Sequence, residues 1–368
     1  MKSLLDRALT IFEIYVRGSL GGKLIATGLA LLTLAIGLNF NVNFAVKPAE
    51  GTQLNGSISS ADTPEIVNYL LIFSGLAFIV VGLFFTWQTY QQQQRKLHFA
   101  LEIRGLSNGF DTPLTSGIPR RLPGARKHHL IDVREMLKGG PAQLKQAVDE
   151  VNFIPRILRQ TKSGLDREDL SIYVGGIAPT PLLFLAGSFV TSEGKFTTLD
   201  WERLKKKEWV SLSNGVSIPA ADVSYPTSIV GDEALLVVAL SYSVNKSELD
   251  NSFPDLQRWE LGTDALPLGK PLSEESLEEL TDQFMNTIVA MKRAGINVIH
   301  LVLATPSSVA IRLGSAYSHR NMPKLIAYQY QKDNKNSQYP WGVEMPNSER
   351  DSGVFVNNET IYNEQILL

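Results

Sequence analysis

The residues best placed to do chemistry in this sequence are small ones at two strand-to-helix turns. SIYVGGIAPTPLLFLAGSF runs from Ser171 to Phe189, and VIHLVLATPSSVAIRLGSA runs from Val298 to Ala316. Each reads as an apolar strand, a small-residue turn containing Pro, and an apolar helix interrupted by Gly-Ser. One constant offset lays Pro179 on Pro306, Gly187 on Gly314 and Ser188 on Ser315. Thr180 before Pro181 and Thr305 before Pro306 suit the N-cap and first helical position. The offset register instead pairs Thr180 with Ser307, so two cap assignments stand. In either, small side chains leave backbone N–H groups open to an anion at the positive end of the helix dipole. A duplicated turn would set two such ends around a pseudo-twofold axis, a cradle for a ligand with more than one phosphate. The competing reading is that Gly and Pro only end a strand and start a helix.

Other chemistries are poorly supplied. The chain has no cysteine, which removes disulfides, thiolate metal sites and cysteine nucleophiles. A net charge of -2 argues against DNA as a partner, since duplex binding calls for a basic face. There is no Walker loop, no HExxH and no GxSxG; Gly21-Gly22-Lys23 precedes an apolar span rather than following a strand. Among the 5 histidines, His128 and His129 fall in a basic stretch without acidic ligands at metal spacing, and His300 sits in an apolar strand. No catalytic residue, metal site or cofactor is expected.

The elements that must position the twin turns occupy 97–346, in halves of about 97–213 and 233–346. The first half reads as strand LHFALEIRGL, a Pro/Gly/Arg-rich loop from Ser107 to Lys127, strand LIDV, a helix over about 141–160, strand SIYVGG, helix TPLLFLAGSF and strand KFTTLDW. The second replays this order with EALLVVALSYSV, an irregular segment, a helix from Ser273 to Arg293, NVIHLVLA, SSVAIRLGSAY and KLIAYQY. Trp209 and Trp341 fall at comparable places beyond the last strands. Alternating strands and helices, with strands that are continuous apolar runs, indicate an α/β fold of two fused Rossmann-like subdomains with parallel sheets. The tail 347–368 is polar; its GVFV could add an edge strand to a neighbour.

Ahead of this region, 1–96 holds two stretches long and apolar enough to span a bilayer, about 24–46 and 66–88. Lys2, Arg7, Arg17 and Lys23 precede the first, Arg95 and Lys96 follow the second, and the loop between holds Lys47 against Glu50, Asp62 and Glu65. The positive-inside rule therefore puts both termini in the cytoplasm. LLDRALTIFEIYV is either an interfacial helix or an extension of the first span. Asn39 and Asn43 share a helical face near the outer end of that span, and Gly75 and Gly82 could permit close helix contact in the second. Neither span carries a buried charge, which speaks against an ion-coupled transporter.

From about Leu97 to Met345, GGIAPTPLLFLAGSF with TTLDWERLKKKEW, and IHLVLATPSSVAIRLGSAY with LIAYQY, resemble a SAVED domain. The resemblance implies a fused pair of CARF-like Rossmann subdomains that senses a cyclic di- or oligonucleotide second messenger made by a cGAS-like nucleotidyltransferase in bacterial CBASS anti-phage immunity. With membrane helices in front, it implies a transmembrane SAVED effector at the bacterial inner membrane. Ligand-driven self-association into oligomers or filaments would cluster the helices, breach the lipid bilayer and cause abortive infection.

Carried onto this sequence, the resemblance places the cradle at Gly175, Gly176, Pro179 and Thr180 in one half and at Thr305, Pro306, Ser307 and Ser308 in the other. Arg312 would pair with a phosphate, Ser241, Tyr242 and Ser243 would meet base or ribose, and Tyr330 or Trp341 would stack on a base. Lys205 to Lys207 would meet phosphate or anionic lipid. Two rivals share the same residues. One is an anchored nucleotide sensor signalling to a partner protein. The other is a ring nuclease, in which Ser307, Ser308 or Thr180 would orient a ribose hydroxyl for attack on its neighbouring phosphate.

Overall fold

Among the described residues, a helical pair and an antiparallel strand pair form the amino-terminal unit, Met1–Arg95, and two sheets dominate the second, Lys96–Leu368. The computed structural model describes residues 20–37, 42–46, 54–58, 65–106, 112–191, 196–202, 207–240, 243–263, 271–318, 320–334 and 337–358.

In the first unit, α1 (Leu20–Gly37) packs on α2 (Glu65–Arg95) through paired glycines. A Cβ on Gly28 would lie 2.6 Å from the Gly75 carbonyl oxygen, and one on Gly82 would lie 2.8 Å from that of Gly21. Only hydrogen at these positions lets the two backbones touch, as small residues do between membrane helices. The close contact expected of Gly75 and Gly82 is therefore present, with Gly28 and Gly21 as partners.

α2 is long and apolar enough from Ile66 onward to cross a membrane, whereas α1 is apolar but shorter. The span expected over about 24–46 differs in the structure at its outer end: the described helix is Leu20–Gly37, and β1 (Val42–Val46) pairs antiparallel with β2 (Leu54–Ile58). The run Asn41-Val42-Asn43-Phe44 alternates polar and apolar residues, a period of two rather than 3.6, and Asn is a poor helix former. Asn43 thus pairs with Ser57 in a strand pair and not on a helix. Asn39, Asn41 and the segment LLDRALTIFEIYV lie outside the described residues.

The second unit contains two sheets of matching topology. In the first, β3 (Leu97–Arg104), β4 (Ala125–Asp132), β5 (Leu170–Ile177) and β6 (Phe196–Glu202) are parallel, and β7 (Glu208–Ser211) runs antiparallel on β6, in the order β4-β3-β5-β6-β7. In the second, β9 (Glu233–Ala239), β10 (Gln257–Gly262), β11 (Val298–Ala304) and β12 (Lys324–Gln329) are parallel. Antiparallel β13 (Trp341–Glu344) and β14 (Val354–Asn357) extend one edge, and β8 (Asp222–Ser224) the other. Counted within each half, the shared strand order is 2-1-3-4-5, with the reversal between the first and third strands. Trp209 on β7 and Trp341 on β13 occupy the corresponding antiparallel strands.

Helices fill the layer between. α3 (Pro141–Asn152) and α4 (Ile154–Lys162) replace the single helix expected over about 141–160: the chain breaks at Phe153, and Pro155 opens the second piece because it lacks an N–H for a continuing ladder. α5 (Thr180–Val190) and α8 (Ser307–Ala316) are the two predicted turn helices, and α6 (Lys246–Ser252) and α7 (Glu274–Arg293) belong to the second half. The irregular segment before α7 contains β10, a strand that mixed polar and apolar residues had concealed. GVFV pairs with β13 of its own chain, so the tail extends the second sheet as far as Asn357.

α5 and α8 cross at their Gly-Ser pairs with reciprocal contacts. A Cβ on Gly187 would fall 2.0 Å from the Ile311 carbonyl oxygen, and one on Gly314 would fall 2.0 Å from that of Phe184. The Ser188 hydroxyl donates to Leu185 O at 2.7 Å, and the Ser315 hydroxyl donates to Arg312 O at 2.7 Å. Every member of one set maps onto the other by the offset that relates Pro179 to Pro306. The pseudo-twofold axis therefore passes between these helices, and the Gly-Ser motif serves that crossing. One continuous core, from Phe99 and Leu185 through Ile311 to Val343, joins the inner faces of both sheets.

Candidate ligand-binding site

Parallel strands deliver their carboxyl ends, and the helices that follow them, to one edge of each sheet, and the gap at a strand-order reversal is the usual place for a ligand. Here the reversals lie between β3 and β5 and between β9 and β11.

At the second reversal a cavity of about 480 Å³ opens, within the range of small-molecule sites. Val302 to Thr305 at the end of β11 form its floor; Ser243, Val244 and Asn245, with Glu248 of α6, form one wall; Tyr330 and Tyr339 form another. Thr180, at the start of α5 in the first half, closes it. Four predicted residues, Thr180, Ser243, Thr305 and Tyr330, are thereby brought together from both halves. Beyond Val244 a second hollow of about 240 Å³ lies among Asp222, Ser224, Lys246, Glu260 and Thr263.

The cavity is a mixed surface of ring faces and unsatisfied polar groups. The Thr305 hydroxyl oxygen is buried and has no hydrogen-bond partner among the described residues. Tyr330 is 41% exposed, and its ring centroid lies 5.5 Å from that of the buried Tyr339. Removal from water, and then a hydrogen bond to the Glu248 carboxylate, hold the Tyr330 phenol above its usual range. Burial, followed by the nearby Glu248 charge, likewise raises Tyr339. Both phenols therefore stay neutral donors at physiological pH. Asn245 caps α6 by accepting from Ser247 N at 3.0 Å, which fixes the wall that carries Glu248.

The two turns resolve the cap ambiguity in favour of the offset register. Pro179 and Pro306 are the residues preceding the first helical positions Thr180 and Ser307, and neither helix has a side-chain cap. The donors that remain differ. At α5, Pro181 has no N–H, and Leu182 N and Leu183 N both donate to Pro179 O, at 3.0 and 3.2 Å. At α8, only Ala310 N reaches Pro306 O, at 3.1 Å; Ser307, Ser308 and Val309 N–H groups have no acceptor among the described residues. The second turn thus keeps more unsatisfied amides, although Ser308 and Val309 are fully buried and only the Ser307 amide belongs to a partly exposed residue.

Several predicted site residues do other work. Gly175 and Gly176 lie inside β5, paired with Glu102 and Ile103 of β3, short of the turn. A Cβ on Gly175 would strike Leu199 O at 2.7 Å, and one on Gly176 would strike Ile103 O at 2.6 Å, so they admit neighbouring strands and not phosphate. Pro179 is buried against Gly105. The fully buried Ser308 spends its hydroxyl on the Asp200 carboxylate of β6 at 2.8 Å, tying the halves together. Arg312 stacks over Phe196 with its guanidinium 3.8 Å from both Glu274 and Glu278, turned to carboxylates of α7. Trp341 is core. Ser241, Tyr242, Lys205 and Lys206 lie outside the described residues.

Asn245, Glu248 and Tyr339 are cavity residues the sequence did not single out. The Asn-x-Ser cap signal was readable at Asn245, whereas the inward turn of Tyr339 had no local signal. His128 and His300 are structural. His128 Nε2 lies 2.7 Å from a Glu102 oxygen, and His300 bridges Tyr328 and Glu233 at 2.9 Å each.

Residues 153–345, more than half of the chain, match the family model of SAVED, the SMODS-associated and fused to various effectors sensor domain. Residues 3–148 match Saf_2TM, the SAVED-fused 2TM effector domain. Neither is a catalytic family. The Cap4 SAVED/CARF-domain containing receptor of Acinetobacter baumannii, in its structure with the cyclic trinucleotide 2'3'3'-cAAA, is similar at a TM-score of 0.47 and 12% identity, over 76% of this chain and 58% of that one. The Moraxella osloensis Cap4 receptor gives 0.41 and 11%, over 79% and 58%. This chain thus spans less than two-thirds of the length of those receptors. No curated protein matches it.

Proposed function

We infer that this chain, which belongs to the SAVED family and carries the SAVED-fused 2TM effector domain ahead of its sensor, is a membrane-anchored receptor for a cyclic oligonucleotide in bacterial anti-phage defence. The observation that carries the reading is the cavity in which Thr180 of one half meets Ser243, Thr305 and Tyr330 of the other. Tyr330 offers an exposed ring for a base, the orphaned Thr305 hydroxyl a hydrogen bond, and the Ser307 amide at the start of α8 a phosphate contact. A ring of several nucleotides suits a site with more than one such feature. It also suits the second hollow past Val244.

A ligand that touches Thr180 and Thr305 together bridges the two halves, so its binding energy bears on how they sit about the α5–α8 crossing. The sensor side is joined to α2 through Lys96 alone, since β3 begins at Leu97. Ligand-driven self-association then gathers the helical pairs of several copies. α1 and α2 close on each other through glycine, leaving Phe73, Phe84 and Trp87 outward for lipid or for neighbouring copies. Gathered in number, these pairs disrupt the inner membrane. The cations flanking the spans put both termini in the cytoplasm, where the ligand is made.

The test uses the full chain in dye-loaded vesicles, titrated with cyclic di-, tri- and tetranucleotides while binding, particle association and dye release are scored together. One ring is expected to bind, associate copies and release dye. Binding without release removes the membrane step, and no binding across the panel removes the receptor.

A further inference from the structure

The end of the first sheet opposite its carboxyl edge carries a cluster of cations that the ligand site does not use. Ala125 N donates to Lys96 O at 2.9 Å, and Leu97, His98 and Phe99 pair with Ala125, Arg126 and Lys127. Arg126 reaches back to Pro119 O at 2.9 Å, holding the loop that carries Arg120 and Arg121 beside the same strand ends. Lys96, Arg120, Arg121, Arg126 and Lys127 are all exposed, and none has a carboxylate partner among the described residues. Across β3 the sign reverses. Asp166, Glu168 and Asp169, with Arg167 among them, fill the exposed turn before β5, and Asp169 O accepts from Leu97 N at 2.7 Å.

Covalent connection fixes what lies near this end. Lys96 is the only residue between α2 and β3. The apolar part of α2 ends near Trp87, and its polar end from Gln88 to Arg95 rises about 12 Å along the helix axis. The headgroup layer occupies roughly 5–8 Å on each side of the hydrocarbon. Lys96 therefore stands within a Debye length, about 8 Å at physiological ionic strength, of the lipid phosphates. Unpaired cations at that height are drawn to an anionic surface, and carboxylates are repelled from it.

We propose that Lys96, Arg120, Arg121, Arg126 and Lys127 form a docking surface for the anionic phospholipid headgroups of the membrane in which the chain's own helices sit. The β4 side of the sheet closes on the lipid and the β5 side lifts away from it. This contact holds the sensor in one attitude above the bilayer, and it does not depend on which ligand the cavity takes.

The absence of cysteine makes the test direct. Arg121→Cys and Asp166→Cys are each made in the full chain, labelled with one fluorophore, and reconstituted in vesicles containing a headgroup-attached quencher. Both labels report the same end of the sheet, one on each side of β3. In phosphatidylglycerol-rich vesicles the label at 121 should be quenched about threefold more than that at 166, and the excess should vanish in phosphatidylcholine vesicles or at about 1 M salt, where screening shortens to about 3 Å. Equal quenching at the two positions, or an excess indifferent to lipid charge, overturns the proposal. Neither result bears on ligand binding, which is read separately.

Discussion

The two halves of the sensor share strand order, turn register and the helix crossing, yet they treat the outer face of their sheets differently. In the first half that face is filled. Leu114 and Ile118 from the loop after β3 pack with Ala100, Tyr173, Leu199 and Trp209, and the Trp209 indole N–H donates to Thr112 O at 3.0 Å. Gly175 leaves the space that Leu114 occupies. Glu102, fully buried, anchors this plug by accepting from Leu114 N at 2.8 Å, from His128 and from Arg104. In the second half α6 covers the face only partly, and the remainder is the cavity of Tyr330, Tyr339 and Thr305. Duplication therefore supplies two equivalent turns, and among the described residues the cavity opens beside the second. A symmetric pair of mouths gives way to a site owned by the second half and closed by one residue of the first.

The largest expected effect breaks the plug. Glu102→Ala removes the fully buried carboxylate that Arg104, His128 and the Leu114 amide share, and breaking such a buried cluster costs about 3 kcal/mol. Denaturation should show that loss. Ligand affinity measured well below the lowered melting temperature should change less than about threefold, since the cavity draws on the other half and differences of that size are ordinary for distant sites. Lost affinity in a folded protein would mean the first half holds ligand after all, and the contrast between the halves would fall.

Next comes the turn itself. Thr305→Glu puts a carboxylate at a residue that lines the cavity, in place of a buried, orphaned hydroxyl, and should weaken binding at least about a hundredfold, about 2.7 kcal/mol, through repulsion and an unpaired charge against a polyanion. Thr180→Glu stands beside a turn whose Leu182 and Leu183 amides are already occupied and should cost only about tenfold, about 1.4 kcal/mol. Calorimetric titration of both variants, with melting temperatures as the control for folding, ranks them. Equal losses would restore the symmetric cradle.

Much of this was legible in the sequence because it follows from local pattern. Apolar strand runs, the Pro-bearing turns and the Gly-Ser offset gave the α/β halves and their duplication, and Gly75 and Gly82 gave the helix contact. What escaped depended on partners far along the chain. Gly175 and Gly176 look like a phosphate turn, but a glycine in a strand makes room for whatever lies across the sheet, here Leu114 and Leu199 in one case and Leu183 in the other. Arg312 looks free for phosphate until α7 brings Glu274 and Glu278 to it. Ser308 looks like a phosphate ligand until β6 brings Asp200. Pro181 was visible all along, and its missing N–H is the local reason the first turn is the weaker donor.

The smallest effect concerns acid. His300, on the cavity-side face of the second sheet, is held below its ordinary value of 6.5 chiefly by burial, against an opposing pull from Glu233. A histidine whose folded value is depressed lets the unfolded chain take up protons first, so it subtracts stability as pH falls through about 6.5 and subtracts none well above it. His129 on β4 of the first half is lowered in the same direction, by its partial burial and then by the Lys127 and His128 charges, but it is less enclosed than His300 and so weighs less. Acidification from about pH 7.5 to 5.5 should therefore loosen the cavity-bearing half first, a loss of roughly 1 kcal/mol or less at one such site. Hydrogen exchange of β9 and β11 against β3 and β5 over that interval reads the order, and His300→Gln should flatten the response of the second half alone. Equal acceleration in both sheets would show that the halves unfold as one unit, and that their difference is confined to the ligand cavity.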